Sequence, residues 1–108
     1  MPMNPAGAQH LVGPVLRAGE LALAVREAIE IDNPGAVIHV TDRGAYVRIH
    51  TEGRCVLRRD TLSAVVGHPV ELDEIQPYLN SFSGRITTGS DMVTWEHGAA
   101  PAEGAGAA

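Results

Sequence analysis

The stretch VIHVTDRGAYVRIHT, residues 37–51, decides the fold class. Two β-rich runs, 37–41 and 46–51, flank Asp42-Arg43-Gly44-Ala45, a composition that predicts two antiparallel strands and a tight turn. Side chains alternate across a strand, so Ile38, Val40, Val47 and Ile49 form one face, read here as the core face. Val37, His39, Thr41, Tyr46, Arg48 and His50 then point the other way. Glu52-Gly53 makes a second turn into a third strand at 54–58.

Upstream, Leu21, Val25, Ala28 and Ile29 recur as the apolar stripe of an amphipathic helix. Asp32-Asn33-Pro34-Gly35 stops that helix, because Pro34 disfavours helical backbone at Asn33. A short strand over 13–18 precedes it. Downstream, Asp60 or Thr61 is expected to cap a short helix carrying Leu62, Val65 and Val66, closed by Gly67. Leu72, Ile75, Leu79 and Phe82 then recur at helical spacing. Because Pro77 is tolerated only early in a helix, this predicts a helix starting at Asp73 and closed by Gly84. A hairpin of 85–88 and 92–96 ends the pattern. The expected order is β-α-β-β-β-α-α-β-β, a single α+β domain in which helices cover one face of a largely antiparallel sheet. Residues 12–96 are assigned to it. Residues 1–11 and the Gly/Ala/Pro-rich run 97–108 are expected to be flexible tails.

Composition limits the function classes. The chain has 108 residues, 44% hydrophobic and 19% charged, enough for one modest core. No apolar run reaches the roughly 20 residues of a membrane span, and the N-terminus lacks a signal-peptide pattern, so a cytoplasmic location is expected. Eight Arg and no Lys face thirteen acidic residues, a formal charge of −5. With only four aromatics, and with the Arg residues dispersed apart from Arg58-Arg59, that argues against nucleic acid. The lone Cys55 excludes an internal disulfide and reads as a small buried hydrophobe. His39 and His50 are placed on adjacent strands, but a catalytic zinc wants a third protein ligand. Asp73-Glu74 reads as a charge pair at a helix start. No phosphate-cradling loop is present. Binding, not catalysis, is expected, and the outward strand face with Tyr46 and Arg48 is the candidate surface, with a plain solvated sheet face as the open alternative.

An ordered series of motifs sharpens this: Val12-Gly13-Pro14, Arg17-Ala18-Gly19, Glu30-Ile31-Asp32-Asn33-Pro34-Gly35, Asp42-Arg43, Ala45-Tyr46-Val47-Arg48-Ile49, Thr61-Leu62, Gly67, Pro69, Leu79, Ser81-Phe82 and Gly84. Over residues 12–96 the chain resembles the small regulatory (coupling) proteins of bacterial multicomponent diiron monooxygenases, in particular their toluene branch. The resemblance implies an α+β sandwich with no catalytic residues, no metal and no organic cofactor of its own. It implies a partner, the hydroxylase that holds a carboxylate-bridged diiron centre, and binding that retunes oxygen activation, substrate access and regioselectivity there. Electrons would come from NADH through a reductase and, in the toluene branch, a Rieske ferredoxin. The substrate implied is an aromatic hydrocarbon or an alkene such as isoprene. By the same resemblance, Asn80-Ser81-Phe82-Ser83-Gly84-Arg85 would face the hydroxylase, with Asn33, Tyr46 and Arg48 as further contacts. Plain structural roles remain open for Asn33 as a helix stop and for Phe82 as a core residue. The free protein is expected to be a monomer. The alternative is an α+β domain that senses a small molecule, which predicts an apolar pocket.

Overall fold

The structure, a computed structural model, describes residues 10–97. Most of the two expected tails therefore lies outside the described residues. The elements are β1 (Leu11–Arg17), α1 (Glu20–Asp32), β2 (His39–Asp42), β3 (Tyr46–Glu52), β4 (Arg54–Arg58), α2 (Arg59–Val66), a 3-10 helix (Leu72–Tyr78), β5 (Leu79–Ser83), β6 (Arg85–Thr88) and β7 (Met92–Glu96). The α+β class and the run of elements agree with the sequence reading.

The strands form two antiparallel sheets, ordered β2-β3-β1-β5 and β4-β7-β6, where the sequence reading pictured one. The chain changes sheets three times: at Gly53 between β3 and β4, back through α2 and the 3-10 helix between β4 and β5, and at Gly84 between β5 and β6. Gly84 has φ +99°, and a Cβ there would lie 2.7 Å from the Val12 side chain and 2.8 Å from the Glu96 carbonyl oxygen. It is a crossing point between sheets, not the end of a helix.

The core fills the space between sheets and helices. Val12, Leu16 and Ile49 come from the first sheet, and Cys55, Leu57, Val93 and Trp95 from the second. Val25, Ala28 and Ile29 of α1 and Leu62 of α2 close it. Each fully buried aliphatic side chain stabilises the fold by about 1.5–3 kcal/mol. The α1 stripe is the one expected from the sequence. Ile49 is fully buried, while Ile38, Val40 and Val47 are half-buried; Val40 lies on β2, the edge strand, and Ile38 just before it.

Three local expectations change. First, the helix expected from Asp73 to Gly84 is a 3-10 helix that stops at Tyr78, and residues 79–83 form β5. Pro77 has no N–H to extend the helix, and the free edge of β1 pairs with the following residues. The cap is Glu71, whose backbone carbonyl accepts the Glu74 N–H at 3.0 Å while the Glu74 carboxylate accepts the Glu71 N–H at 2.9 Å. Second, neither Asp60 nor Thr61 caps α2. Asp32, at the end of α1, accepts the Arg58 N–H at 2.7 Å and the Thr61 hydroxyl at 2.6 Å. A carboxylate there also complements the positive end of the α2 dipole. Third, the outward-facing His50 is 4% exposed, as described below.

Candidate functional site

The first sheet presents its inner face to the core, and the other face is the candidate surface. Register assigns its residues. Arg17 pairs with Tyr46, Val15 with Arg48, and Thr41 with Arg48 from the other side. On the far edge Val15 pairs with Ser81 and Gly13 with Ser83. Directly paired residues of antiparallel strands point to one side. Tyr46, Arg48, Ser81 and Ser83 therefore share one face with His39, Thr41 and Arg17.

The other expected contacts divide. Phe82 pairs with Pro14 and takes the opposite face, yet it is 41% exposed because β5 is the sheet's edge. It is not a core residue. Asn80 falls at the irregularity in the β1–β5 register and is exposed. Arg85 is exposed at the start of β6, in the other sheet. Asn33 lies elsewhere, and its side chain is engaged within the fold. Its Nδ2 donates to the carbonyls of Ile29 (2.7 Å) and Val56 (2.8 Å), and its Oδ1 accepts the Val56 N–H at 2.9 Å. The amide thus pairs with the edge of β4 as a neighbouring strand would.

The face carries unspent polar capacity. Four ion pairs join described residues, all from exposed or part-exposed side chains: Arg26–Glu30, Arg54–Glu96, Arg59–Asp60 and Arg59–Glu71. Arg48 and Arg17 are in none of them. The Arg17 guanidinium stands 6.0 Å from the Tyr78 ring centroid, and Tyr46 is 42% exposed. An exposed Tyr beside an Arg, on a flat strand surface edged by serines, suits recognition of another protein.

Beneath this face lies a residue that sequence reasoning misjudged. His50 pairs with His39 on β2, as expected for adjacent strands. Across from it is β1, where the β1–β3 pairing skips Gly13 and Pro14. Gly13 has φ +143°, and a Cβ there would fall 2.2 Å from the Ile49 carbonyl oxygen and 3.1 Å from His50 Cδ2. The missing side chain lets the His50 ring settle against β1. The signal in the sequence was Gly13-Pro14 inside a strand pattern, which marks close backbone approach. Burial pushes the His50 pKa down to about 4, the positive charge of Arg48 and the neighbouring His39 add to this, and a backbone contact with Gly13 opposes it. Its Nε2 is buried with no hydrogen-bond partner.

This makes stability depend on pH. The unfolded chain binds a proton at His50 near the ordinary 6.5 and the folded chain only near 4. The contribution is therefore fully present above pH 6.5 and is lost as pH falls from there towards 4. Urea midpoints should drop between pH 7.5 and 4.5 by an amount equivalent to roughly 2–3 kcal/mol for this group. His50→Leu should flatten that part of the profile. An unchanged slope in the variant would show that other groups carry it.

Cys55 is fully buried, and burial raises its thiol to about 12, so no thiolate nucleophile is present near neutral pH. Among the described residues, no three His, Cys, Asp or Glu side chains cluster as a metal site would require. No described helix is long and apolar enough to cross a membrane.

The MmoB/DmpM family model matches residues 10–96, the span of every element above. The chain belongs to the MmoB/DmpM family. It is 44% identical over 87 residues to the effector subunit of the alkene monooxygenase system of Xanthobacter autotrophicus (strain ATCC BAA-1158 / Py2), covering 81% of this chain and 86% of that one. Its fold also matches chains solved in complexes of phenol hydroxylase with its regulatory protein. One has a TM-score of 0.70 at 27% identity, covering 80% of this chain and 97% of the other. A second has 0.65 at 26%, covering 79% and 99%. The family reached from the ordered motifs is therefore the family of the chain.

Proposed function

We propose that this chain is the non-catalytic effector of a multicomponent monooxygenase, and that it binds the diiron hydroxylase through the outer face of its first sheet. The observation that carries the reading is the family match over residues 10–96, with similarity both to an alkene monooxygenase effector and to regulatory proteins bound to phenol hydroxylase. Tyr46, Arg48, Ser81 and Ser83 form the centre of the docking face, and Asn80, Gly84 and Arg85 lie along its edge and exit; Phe82 is exposed at the same edge but from the opposite side of β5. Asn33 is left out of it, because its amide is already bonded to β4.

The mechanism is that of a ligand which prefers one hydroxylase conformation. It shifts the equilibrium by its differential affinity, commonly about 1–3 kcal/mol, or 5–150-fold. The effector brings no cofactor. NADH, the reductase and, in the toluene branch, a Rieske ferredoxin deliver the electrons. The substrate is an aromatic hydrocarbon or an alkene, and its identity is set by the hydroxylase pocket. The effector works in the cytoplasm and acts as a monomer.

The docking face is testable by substitution. Tyr46→Ala or Arg48→Ala should raise the concentration needed for half-maximal stimulation by roughly 30-fold, the effect of losing an aromatic or Arg anchor worth about 2 kcal/mol. Arg54→Ala, on the other sheet and paired with Glu96, should leave it unchanged. Equal effects at Arg48 and Arg54, with all variants folded by circular dichroism, would remove this face from the reading.

A further inference from the structure

The outer face of the first sheet differs in sign from the chain as a whole, whose formal charge is −5. Arg17 and Arg48 stand on it by register. Arg43 lies in the β2–β3 turn at the same end, where the Ala18 N–H donates to the Ala45 carbonyl at 2.9 Å. All three are exposed, and none forms an ion pair with another described residue. Carboxylates lie elsewhere. Glu52 shares the face, but it is four residues along β3 from Arg48, roughly 13 Å away. Asp42 pairs with Val47 and so takes the opposite side, its Oδ1 accepting the Gly44 N–H. Glu20 lines the notch beside Arg17 without bridging to it. Glu27 and Glu30 belong to α1, and Asp73 and Glu74 to the 3-10 helix.

Docking takes these guanidinium groups out of water. A charge that loses its hydration without gaining a counter-charge is costly, and a well-placed carboxylate offsets that cost. No carboxylate of the described residues is placed to do this for Arg48. Its charge is felt by the fold beneath, where it adds to burial in keeping the His50 ring unprotonated. The Arg17 contact with Tyr78, 6.0 Å to the ring centroid, leaves the N–H donors of that guanidinium available as well. The counter-charge has to come from the partner.

We propose that the hydroxylase surface received by this face is acidic, a cluster of Asp or Glu carboxylates that pairs with Arg48 and Arg17 around the Tyr46 ring. The inference rests on the docking face proposed above and adds the chemistry of what that face meets. The flat guanidinium fork matches a carboxylate with two parallel hydrogen bonds, a geometry that lysine does not supply. The chain has eight Arg and no Lys. The same acidic patch repels the carboxylates of α1 and the 3-10 helix. The effector therefore approaches sheet first, and an acidic protein docks on an acidic surface through a basic end.

Direct binding of the purified full chain to the cognate hydroxylase, measured at low and at high potassium chloride, tests the charge. Salt should weaken binding of the natural chain, because it screens exposed charges over a length of about 10 Å at 0.1 M. Arg48→Glu should bind roughly tenfold or more weakly than Arg48→Ala, since juxtaposed like charges repel where truncation only removes an attraction. Arg48→Lys should keep the salt dependence and bind between the natural chain and Arg48→Ala. Arg54→Glu makes the same change in net charge on the other sheet, and it should bind as the natural chain does. Circular dichroism confirms that each variant is folded. Equal binding by Arg48→Glu and Arg48→Ala, or natural binding indifferent to salt, would overturn the acidic partner and leave the docking face standing. Equal losses in Arg48→Glu and Arg54→Glu would overturn it too, because net charge and not this face would then set affinity. Natural affinity in Tyr46→Ala and in every Arg48 variant would instead remove the face itself, and the inference with it.

Discussion

Gly13→Ala should lower stability by about 3–5 kcal/mol, enough to leave the protein partly unfolded at 37 °C given the usual 5–15 kcal/mol total. Two costs combine at this position. The new Cβ would lie 2.2 Å from the Ile49 carbonyl oxygen and 3.1 Å from both His50 Cα and Cδ2, so β1 and β3 must separate. Overpacking of this kind typically costs about 1–3 kcal/mol. In addition, φ +143° is a conformation that only glycine adopts readily, worth a further 1–3 kcal/mol or so. Neither cost can be relieved locally, because β1 is held between β3 and β5 and its residues 12–16 are all buried. Urea unfolding followed by circular dichroism measures the change. A midpoint within experimental error of the natural chain would mean that the approach of β1 to β3 is looser than described.

Asn33→Ala should cost about 2–4 kcal/mol. The substitution removes three hydrogen bonds, but the larger effect is on what remains. The Val56 N–H and C=O face the Asn33 amide at 2.9 and 2.8 Å, and Val56 is 6% exposed, so water does not readily replace the lost partner. Each buried backbone group left unmade costs about 1–3 kcal/mol. Asn33→Asp separates the two halves of the contact. It keeps an acceptor for the Val56 N–H and loses the donors, so it should recover only part of the stability. Both variants are expected to retain the docking face. At saturating concentration and at a temperature where they are folded, they should therefore stimulate a hydroxylase as the natural chain does. Loss of stimulation in folded Asn33→Ala would restore Asn33 to the contact surface.

Why some elements were legible and others not follows from where their stability originates. The β2–β3 hairpin and α1 carry their own periods, 2 and 3.6 residues, and the turn at Asp42 is closed locally by its Oδ1 accepting the Gly44 N–H at 2.8 Å. Such elements can be read from short windows. The segment 79–83 cannot. Its Leu79 and Phe82 continue the helical spacing of Leu72 and Ile75, and as an edge strand it buries little, so no alternation marks it. It is a strand because β1 offers a free edge, which is a tertiary fact. The same pairing brings Ser81 and Ser83 beside Tyr46 and Arg48 and sends Phe82 to the opposite side. The composition of the face was therefore half visible: Tyr46 and Arg48 by alternation, the serines only by register. His50 was placed on the correct face, and its burial came from the glycine opposite. Asp32-Asn33-Pro34 stands out in the sequence as a helix stop, and the further role of Asp32 and Asn33 exists only with β4 and α2 in place, where they clasp the end of α1 to both.

In the proposed role, this chain alters a hydroxylase without performing chemistry itself. The direct measurement is a turnover titration with the cognate diiron hydroxylase, its reductase and ferredoxin, NADH, and toluene or an alkene, adding the purified chain in increasing amounts. Stimulation of product formation that saturates near one chain per diiron site, with the rate or product distribution changed, is the expected result. An unchanged rate, coupling and product distribution, with every other component active, would contradict it.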